Sequence, residues 1–206
     1  MKTKLLLSAA VLGMASIVDA LAEISLNIPV PPGFSMIANQ LDNSGGNTVA
    51  VLLPSVPIGT TLYKYLPPSG YDINTFEFGE WSQPDMTLNP GEGAVIFNPG
   101  DEFDALFVGE VTQGELSIAL VAGVQIVASQ VPLSGALDTD LGFPVEQADA
   151  VALLDNASGD FSVFLFDLGE WIPRGTVVIH VGEAFFLHTH TDRLWTQTFN
   201  GLNVSP

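Results

Sequence analysis

The sequence predicts an all-β fold, in which two tandem units of about 90 residues form a β-sandwich or a barrel-like, pseudo-symmetric pair. Apolar runs after residue 22 are short and are bounded by Gly, Pro, Asn, Asp or Ser. They show no sustained period of about 3.6 residues, which would indicate helices. The chain also repeats its own pattern at an offset near 90 residues, which indicates two copies of one unit.

The first 22 residues have the features of an export signal. Two lysines precede residues 5–18, which are uncharged and mostly apolar. Ala20 and Ala22 have the small-residue spacing that signal peptidase requires, so we expect cleavage before Glu23. A membrane-spanning helix needs about 20 apolar residues, which is more than this run supplies. We therefore predict a signal peptide over 1–22 and a secreted or outer-surface protein, with no membrane contact after cleavage.

The internal repeat covers nearly all of the remaining chain. The matching pairs keep their order and include Gly33–Gln40 with Gly123–Gln130, Phe78–Trp81 with Leu168–Trp171, and Gly91–Gly93 with Gly182–Ala184. We predict a tandem duplication, with one β unit at 23–112 and its duplicate at 113–206. The segment that joins them is short and not rich in Ser or Pro, so we expect the two units to pack together.

Each unit is expected to contain six or seven strands, because β-branched and aromatic runs alternate with turn residues. The predicted strands include 60–66, 71–78, 94–97 and 105–108 in the first unit, and 150–154, 161–168, 184–187 and 194–199 in the second. A short helical turn is expected within 41–53. The strand at 161–168 carries apolar residues on both faces, which predicts burial between the two copies.

Charge and composition exclude several classes of protein. The formal net charge is −18, and a polyanion repels nucleic acid and anionic membranes. The carboxylates are scattered, which is typical of a solvated surface, and recruitment of Ca²⁺ is the alternative. No cysteine is present, so disulfides contribute nothing to stability. The sequence requires no cofactor, and calcium or zinc is the only metal that it suggests.

Three segments together resemble a known pattern. These are 31–41 (PPGFSMIANQL), Gly79–Trp81 and 88–93 (LNPGEG). The pattern resembles that of a group of uncharacterised secreted bacterial proteins with a duplicated β unit. The resemblance implies an extracytoplasmic protein and supplies no activity or catalytic residue. The second unit departs from the pattern, because His180-Val181 replaces Asn89-Pro90.

Four glutamates follow glycines at matching places in the two units, namely Glu80, Glu92, Glu170 and Glu183. Two carboxylates across a cleft are the machinery of a glycosidase. Retention of the pattern in both units favours a shared structural role instead, in which the carboxylate accepts hydrogen bonds from backbone N–H groups of a turn.

The three histidines lie close together in the sequence. His188 and His190 are two residues apart, so on a strand they project to one face, and Asp192 continues the alternation. With His180, they form a candidate zinc site. An H-x-H pattern alone is a weak indication, and the first unit has no counterpart.

The aromatic residues allow two interpretations. Trp81 and Trp171 occupy matching positions, which favours a core role. An exposed set including Trp195, Tyr63, Tyr65 and Tyr71 would instead form a platform for stacking sugars.

No nucleophile motif or phosphate-binding loop is present. The sequence therefore favours a secreted, non-catalytic structural or adhesive protein, with self-association as one mode of action. A carbohydrate-binding module that recognises glycans is the alternative. A metal-dependent hydrolase that uses the histidines and Asp192 is the third hypothesis.

Overall fold

The computed structural model describes residues 23–201, and the predicted signal peptide at 1–22 lies outside them. The first half contains β1 (Ile24–Val30), β2 (Gly33–Ala38), α1 (Val49–Leu52), β3 (Thr61–Leu66), β4 (Gly70–Glu77), β5 (Glu80–Trp81), β6 (Gly93–Asn98) and β7 (Phe103–Gly109). The second half contains β8 (Gly114–Leu120), β9 (Gly123–Ala128), β10 (Gly135–Ala136), β11 (Ala150–Leu154), β12 (Phe161–Asp167), β13 (Glu170–Ile172), β14 (Val178–Ile179), β15 (Ala184–Thr189) and β16 (Arg193–Phe199). The predicted all-β fold is confirmed.

The two halves contain the same arrangement of strands. A five-stranded antiparallel sheet has the order β2-β6-β3-β4-β5 in the first half and β9-β15-β11-β12-β13 in the second. A two-stranded sheet accompanies each of them, β1-β7 in the first half and β8-β16 in the second. The additional pair β10-β14 lies in the second half. Equivalent strands therefore occur in equivalent places, as two similar units require, and the unit boundary at 112/113 stays a prediction.

Each half has an apolar core between its five-stranded and two-stranded sheets, and Leu116, Val131 and Phe199 of the second half extend the core of the first. In the first half, Ile37, Leu62 and Ile96 of the larger sheet are buried with Val30 and Phe107 of the smaller one. The second core is built the same way, from residues that include Val151, Phe185 and Leu187 with Leu120 and Trp195. Each half is thus a small sandwich, because alternate residues of its strands point inward.

The two halves pack together through an approximately symmetric contact. The Ala38 N–H donates to the Gly182 carbonyl at 2.9 Å, and the Ala128 N–H donates to the Gly91 carbonyl at 3.0 Å. These donors are one repeat apart in the sequence, and so are the acceptors. A third apolar cluster fills the contact and consists of Met36, Ala38, Ile126, Ala128, Leu154 and Ala184. The halves are therefore joined by backbone hydrogen bonds and by buried apolar side chains.

The prediction that residues 161–168 are buried on both faces is wrong. In β12, Phe161 and Val163 are 52% and 59% exposed. The strand lies between β11 and the short outermost strand β13, and the main strand contacts between the halves involve β2, β3, β6, β9 and β15 rather than β12. Its apolar outer face is therefore left open to solvent.

The short helical turn expected within 41–53 is present as α1, which has four residues. Between residues 23 and 201, no helix has the length and apolar character needed to cross a membrane.

Candidate functional site

The outer face of the first five-stranded sheet carries a connected group of aromatic rings, which we call the aromatic face. It consists of Phe34, Phe97, Tyr63, Tyr65 and Tyr71. Phe34 contacts Phe97, with ring centroids 4.9 Å apart, and lies 6.2 Å from Tyr63. Tyr71 contacts Tyr65 at 5.1 Å and lies 6.3 Å from Tyr63. The rings therefore continue across four neighbouring strands, β2, β6, β3 and β4.

The strand register explains how these rings come together. Phe34 is paired with Phe97, and Tyr65 is paired with Tyr71, in directly opposed positions of antiparallel strands. Tyr63 and Tyr65 are two residues apart on β3, so they share one face of the sheet. The inner face of the same strands supplies the core of the first half, so the rings on the outer face have no role in that core.

The aromatic face is open to solvent. Phe34 is 52% exposed, Tyr71 is 49% exposed and the neighbouring Ile73 is 50% exposed. Partial burial raises the pKa of the Tyr71 hydroxyl, and Tyr65 adds to the shift, so the Tyr71 phenol stays neutral at physiological pH. A contiguous exposed apolar patch on a globular protein is typical of an interaction site.

The equivalent face of the second half is apolar but contains fewer rings. Phe161 and Val163 replace Tyr71 and Ile73, and Val124 replaces Phe34. Phe161 contacts Phe186, with ring centroids 6.0 Å apart. The ring network is therefore a property of the first half, and the second half provides a natural control surface.

A groove of about 710 Å³ lies where the halves meet. The first half contributes Ile28 and its neighbours on β1, and the second contributes the β11–β12 hairpin and the turn before β15. Its lining includes apolar residues such as Ile28 and Leu153 and the carboxylates of Glu102, Asp155 and Glu183. The groove thus combines an apolar surface with carboxylates.

Two of the three carboxylates that line the groove, Asp155 and Glu183, differ in their environment. Burial raises the pKa of the Glu183 carboxyl, although the His180 N–H that it accepts opposes this shift. Hydrogen bonds from the backbone N–H groups of Ala157 and Ser158 lower the pKa of Asp155. The charged form of the Asp155 carboxylate is therefore favoured, whereas burial disfavours the charged form of Glu183.

The predicted structural role of the glutamates holds for two of the four. Glu92 accepts the Asn89 N–H at 2.7 Å, and Glu183 accepts the His180 N–H at 2.8 Å. Each carboxylate therefore closes the turn before β6 or β15, in the manner of a side-chain cap. Glu80 and Glu170 instead lie exposed on the short strands β5 and β13, and Glu170 binds Arg174 at 2.8 Å.

The structure brings together only two members of the predicted zinc site. His188 and His190 have ring centroids 4.7 Å apart, whereas His180 lines the groove. Asp192 accepts a hydrogen bond from the Ala122 N–H at 2.7 Å. Among residues 23–201, no group of three or more His, Cys, Asp or Glu side chains is placed to hold a metal ion. The zinc site therefore stays a prediction that rests on the sequence.

The tryptophans belong to the cores. Trp81 and Trp171 are 3% and 4% exposed, and Trp195 is fully buried. Trp81 donates its indole N–H to the Leu53 carbonyl at 2.7 Å, and Trp195 donates to the Leu141 carbonyl at 2.9 Å. The core interpretation is correct for Trp81 and Trp171, and Trp195 takes no part in an exposed platform.

Two exposed hairpin tips carry bulky apolar side chains that the strand and turn patterns do not predict. Phe78 and Leu168 are 97% and 87% exposed, at matching positions of the β4–β5 and β12–β13 turns. Both have left-handed backbone conformations, with φ of 56° and 52°. The signal that could have found them is the repeat itself, since a bulky apolar residue precedes Gly-Glu-Trp in both halves.

No known protein family, no curated protein and no solved structure matches this chain.

Proposed function

We propose that this chain is a secreted, non-catalytic adhesive protein and that the aromatic face is its contact surface. The observation that carries the proposal is the continuous group of five rings, of which Phe34 and Tyr71 are about half exposed. Tyr65 packs against the apolar cluster between the halves, whereas the exposed parts of Phe34 and Tyr71 contribute nothing to a core. A ligand that covers them removes apolar area from water, which contributes roughly 25 cal/mol per Å².

The partner that best fits this surface is a neutral carbohydrate. A sugar ring presents flat apolar patches edged by hydroxyls, and a tyrosine presents a flat apolar ring with one hydroxyl. The strongly negative chain repels anionic polymers, so a neutral glycan is favoured over a charged one. The carbohydrate-binding alternative therefore describes how adhesion would take place.

A binding assay on insoluble neutral polysaccharides tests the proposal. The purified protein is mixed with cellulose or chitin, and the bound fraction is measured by sedimentation. We expect binding to fall about tenfold or more when Phe34→Ala and Tyr71→Ala are combined, because they remove the two most exposed rings of the surface.

The second half supplies the matched control. Phe161→Ala removes a ring with the same 52% exposure as Phe34 from the equivalent sheet face. It should leave binding unchanged, and both variants should keep the thermal transition of the parent. Wild-type protein that binds no neutral polysaccharide, or equal loss in the control, would contradict the proposal.

Self-association is the second candidate, and the apolar outer face of β12 favours it. Two copies that pair through their exposed sheet faces would bury Phe161 and Val163. Light scattering separates the two functions. A mass above that of the monomer that returns to the monomer value in Phe161→Ala would favour self-association, whereas a monomeric protein that binds glycans would favour carbohydrate adhesion.

A further inference from the structure

The first half contains a buried ammonium site. The Lys64 Nζ lies 2.9 Å from Glu92 Oε2 and also donates to the Thr87 carbonyl at 2.8 Å. Only 11% of the Lys64 side chain is exposed. The sandwich thus folds around a lysine head group held by one carboxylate and one carbonyl.

The register identifies the counterparts of these three residues in the second half. In the first half Tyr63 is paired with Val95, and in the second half Ala152 is paired with Phe186. Ala152 therefore corresponds to Tyr63, and the next residue along the strand, Leu153, corresponds to Lys64. Glu183 closes its turn as Glu92 does. The offset between these two glutamates also aligns Val178 with Thr87. The carboxylate has thus been kept while the lysine has been replaced by an apolar residue.

All three counterparts line the groove. Leu153, Val178 and Glu183 lie around the 710 Å³ space between the halves. Among residues 23–201, no lysine or arginine forms an ion pair with Glu183. The side chain that fills this place in the first half is therefore missing in the second, and an accessible space beside a carboxylate takes its place.

We propose that the groove binds a small organic amine, with its ammonium group beside Glu183 and its aliphatic part against Leu153 and Val178. The ammonium would take the position that Lys64 Nζ has beside Glu92. Glu102 and Asp155 also line the groove, so its charge complements a cation. Its volume falls within the roughly 300–1,000 Å³ that is typical of small-molecule sites. This surface is separate from the aromatic face, and the inference goes beyond the proposed function.

An NMR titration tests the inference. The ¹⁵N-labelled protein is titrated with n-pentylamine, whose cation resembles a free lysine side chain, and in parallel with the neutral n-pentanol. We expect saturable shifts of the Leu153 and Glu183 amides with the amine, at a dissociation constant of about 1 mM or below. The alcohol should produce shifts at least tenfold weaker, because it lacks the charge that pairs with the carboxylate.

Two variants test the assignment to Glu183. Glu183→Gln keeps the acceptor for the His180 N–H and removes the charge, so we expect affinity for the amine to fall about tenfold or more. Leu153→Lys copies the first half and should abolish binding, since its own ammonium would pair with Glu183. Glu80→Gln removes an exposed charge outside the groove and should change nothing.

Several results would overturn the inference. These are no saturable shift with the amine, equal affinity in Glu183→Gln, and undiminished binding in a folded Leu153→Lys protein. A lysine-containing hexapeptide that bound more tightly than the free amine would overturn the assignment to a small molecule and indicate a protein partner. Loss of polysaccharide binding leaves these readouts untouched, because the two surfaces are independent.

Discussion

At the scale of single residues, both hairpin tips place a bulky apolar side chain where the backbone disfavours one. Phe78 and Leu168 adopt left-handed φ values of 56° and 52° in two-residue turns, where Asn, Asp or Gly is usual. A non-glycine residue in this conformation costs about 1–2 kcal/mol. Neither side chain recovers that energy by burial, because both are almost fully exposed. The exposed side chains at the tips therefore add nothing to stability, and a partner that covered them would remove apolar area from water, as the proposed adhesion requires.

We predict that Phe78→Asn raises the free energy of unfolding by about 1 kcal/mol, because asparagine tolerates the left-handed conformation and the exposed ring contributes no packing. Denaturant unfolding measures the change. Leu106→Asn serves as the control, since Leu106 is 53% exposed on β7 and asparagine is unfavourable in strands. A lower stability for Phe78→Asn would mean that the ring makes a stabilising contact.

At the scale of strands and sheets, the sequence predicted most of the fold because turn residues and apolar runs mark strand ends locally. The hairpin of β3 and β4 and its counterpart of β11 and β12 were found in this way. The exposure of β12 was not predicted in this way. Whether a strand is buried depends on which sheet faces meet, and no local pattern carries that information. The repeat offset also falls to 89 within β11, where the register aligns Leu153 with Lys64.

The contact between the halves depends on close approach at two glycines one repeat apart. A Cβ on Gly182 would lie 2.1 Å from Ile28 Cδ1, and a Cβ on Gly91 would lie 2.9 Å from Ile118 Cδ1. Both glycines also have positive φ and supply the carbonyls that join the halves. A side chain at either position would press against a residue of the other half and strain the contact between the two sandwiches.

We predict that Gly182→Ala lowers the free energy of unfolding by about 1–3 kcal/mol more than Gly169→Ala does. Gly169 also has positive φ, but a Cβ there meets nothing within 4 Å, so this control carries only the backbone strain. In a double-mutant cycle, Gly182→Ala should cost less in an Ile28→Ala background than in the parent, because the clashing methyl group is then absent. Equal destabilisation by the two glycine substitutions would show that the close approach is unimportant.

At the scale of the whole molecule, the candidate sites were less predictable than the fold. The tyrosines of the aromatic face were singled out in the sequence, whereas their partners Phe34 and Phe97 come from β2 and β6, which lie far apart in the chain. The groove requires both halves at once, and its relation to Lys64 emerges only from the strand register. Sites of this kind depend on long-range pairing, which a single sequence does not display.

The net charge of −18 also acts on the whole molecule, and the described residues contain four ion pairs, two of which involve Arg193. Repulsion among so many carboxylates destabilises a compact state. Salt screens it, since the Debye length falls from about 30 Å at 0.01 M to about 8 Å at 0.15 M. We therefore predict that the melting temperature rises by several degrees when NaCl is increased over this range.

Comparing CaCl₂ with MgCl₂ at equal ionic strength separates screening from binding. An equal rise indicates screening alone, and a larger rise with calcium indicates a specific Ca²⁺ site. A melting temperature that stays flat or falls with salt would show that the carboxylates are too widely spaced for their repulsion to matter.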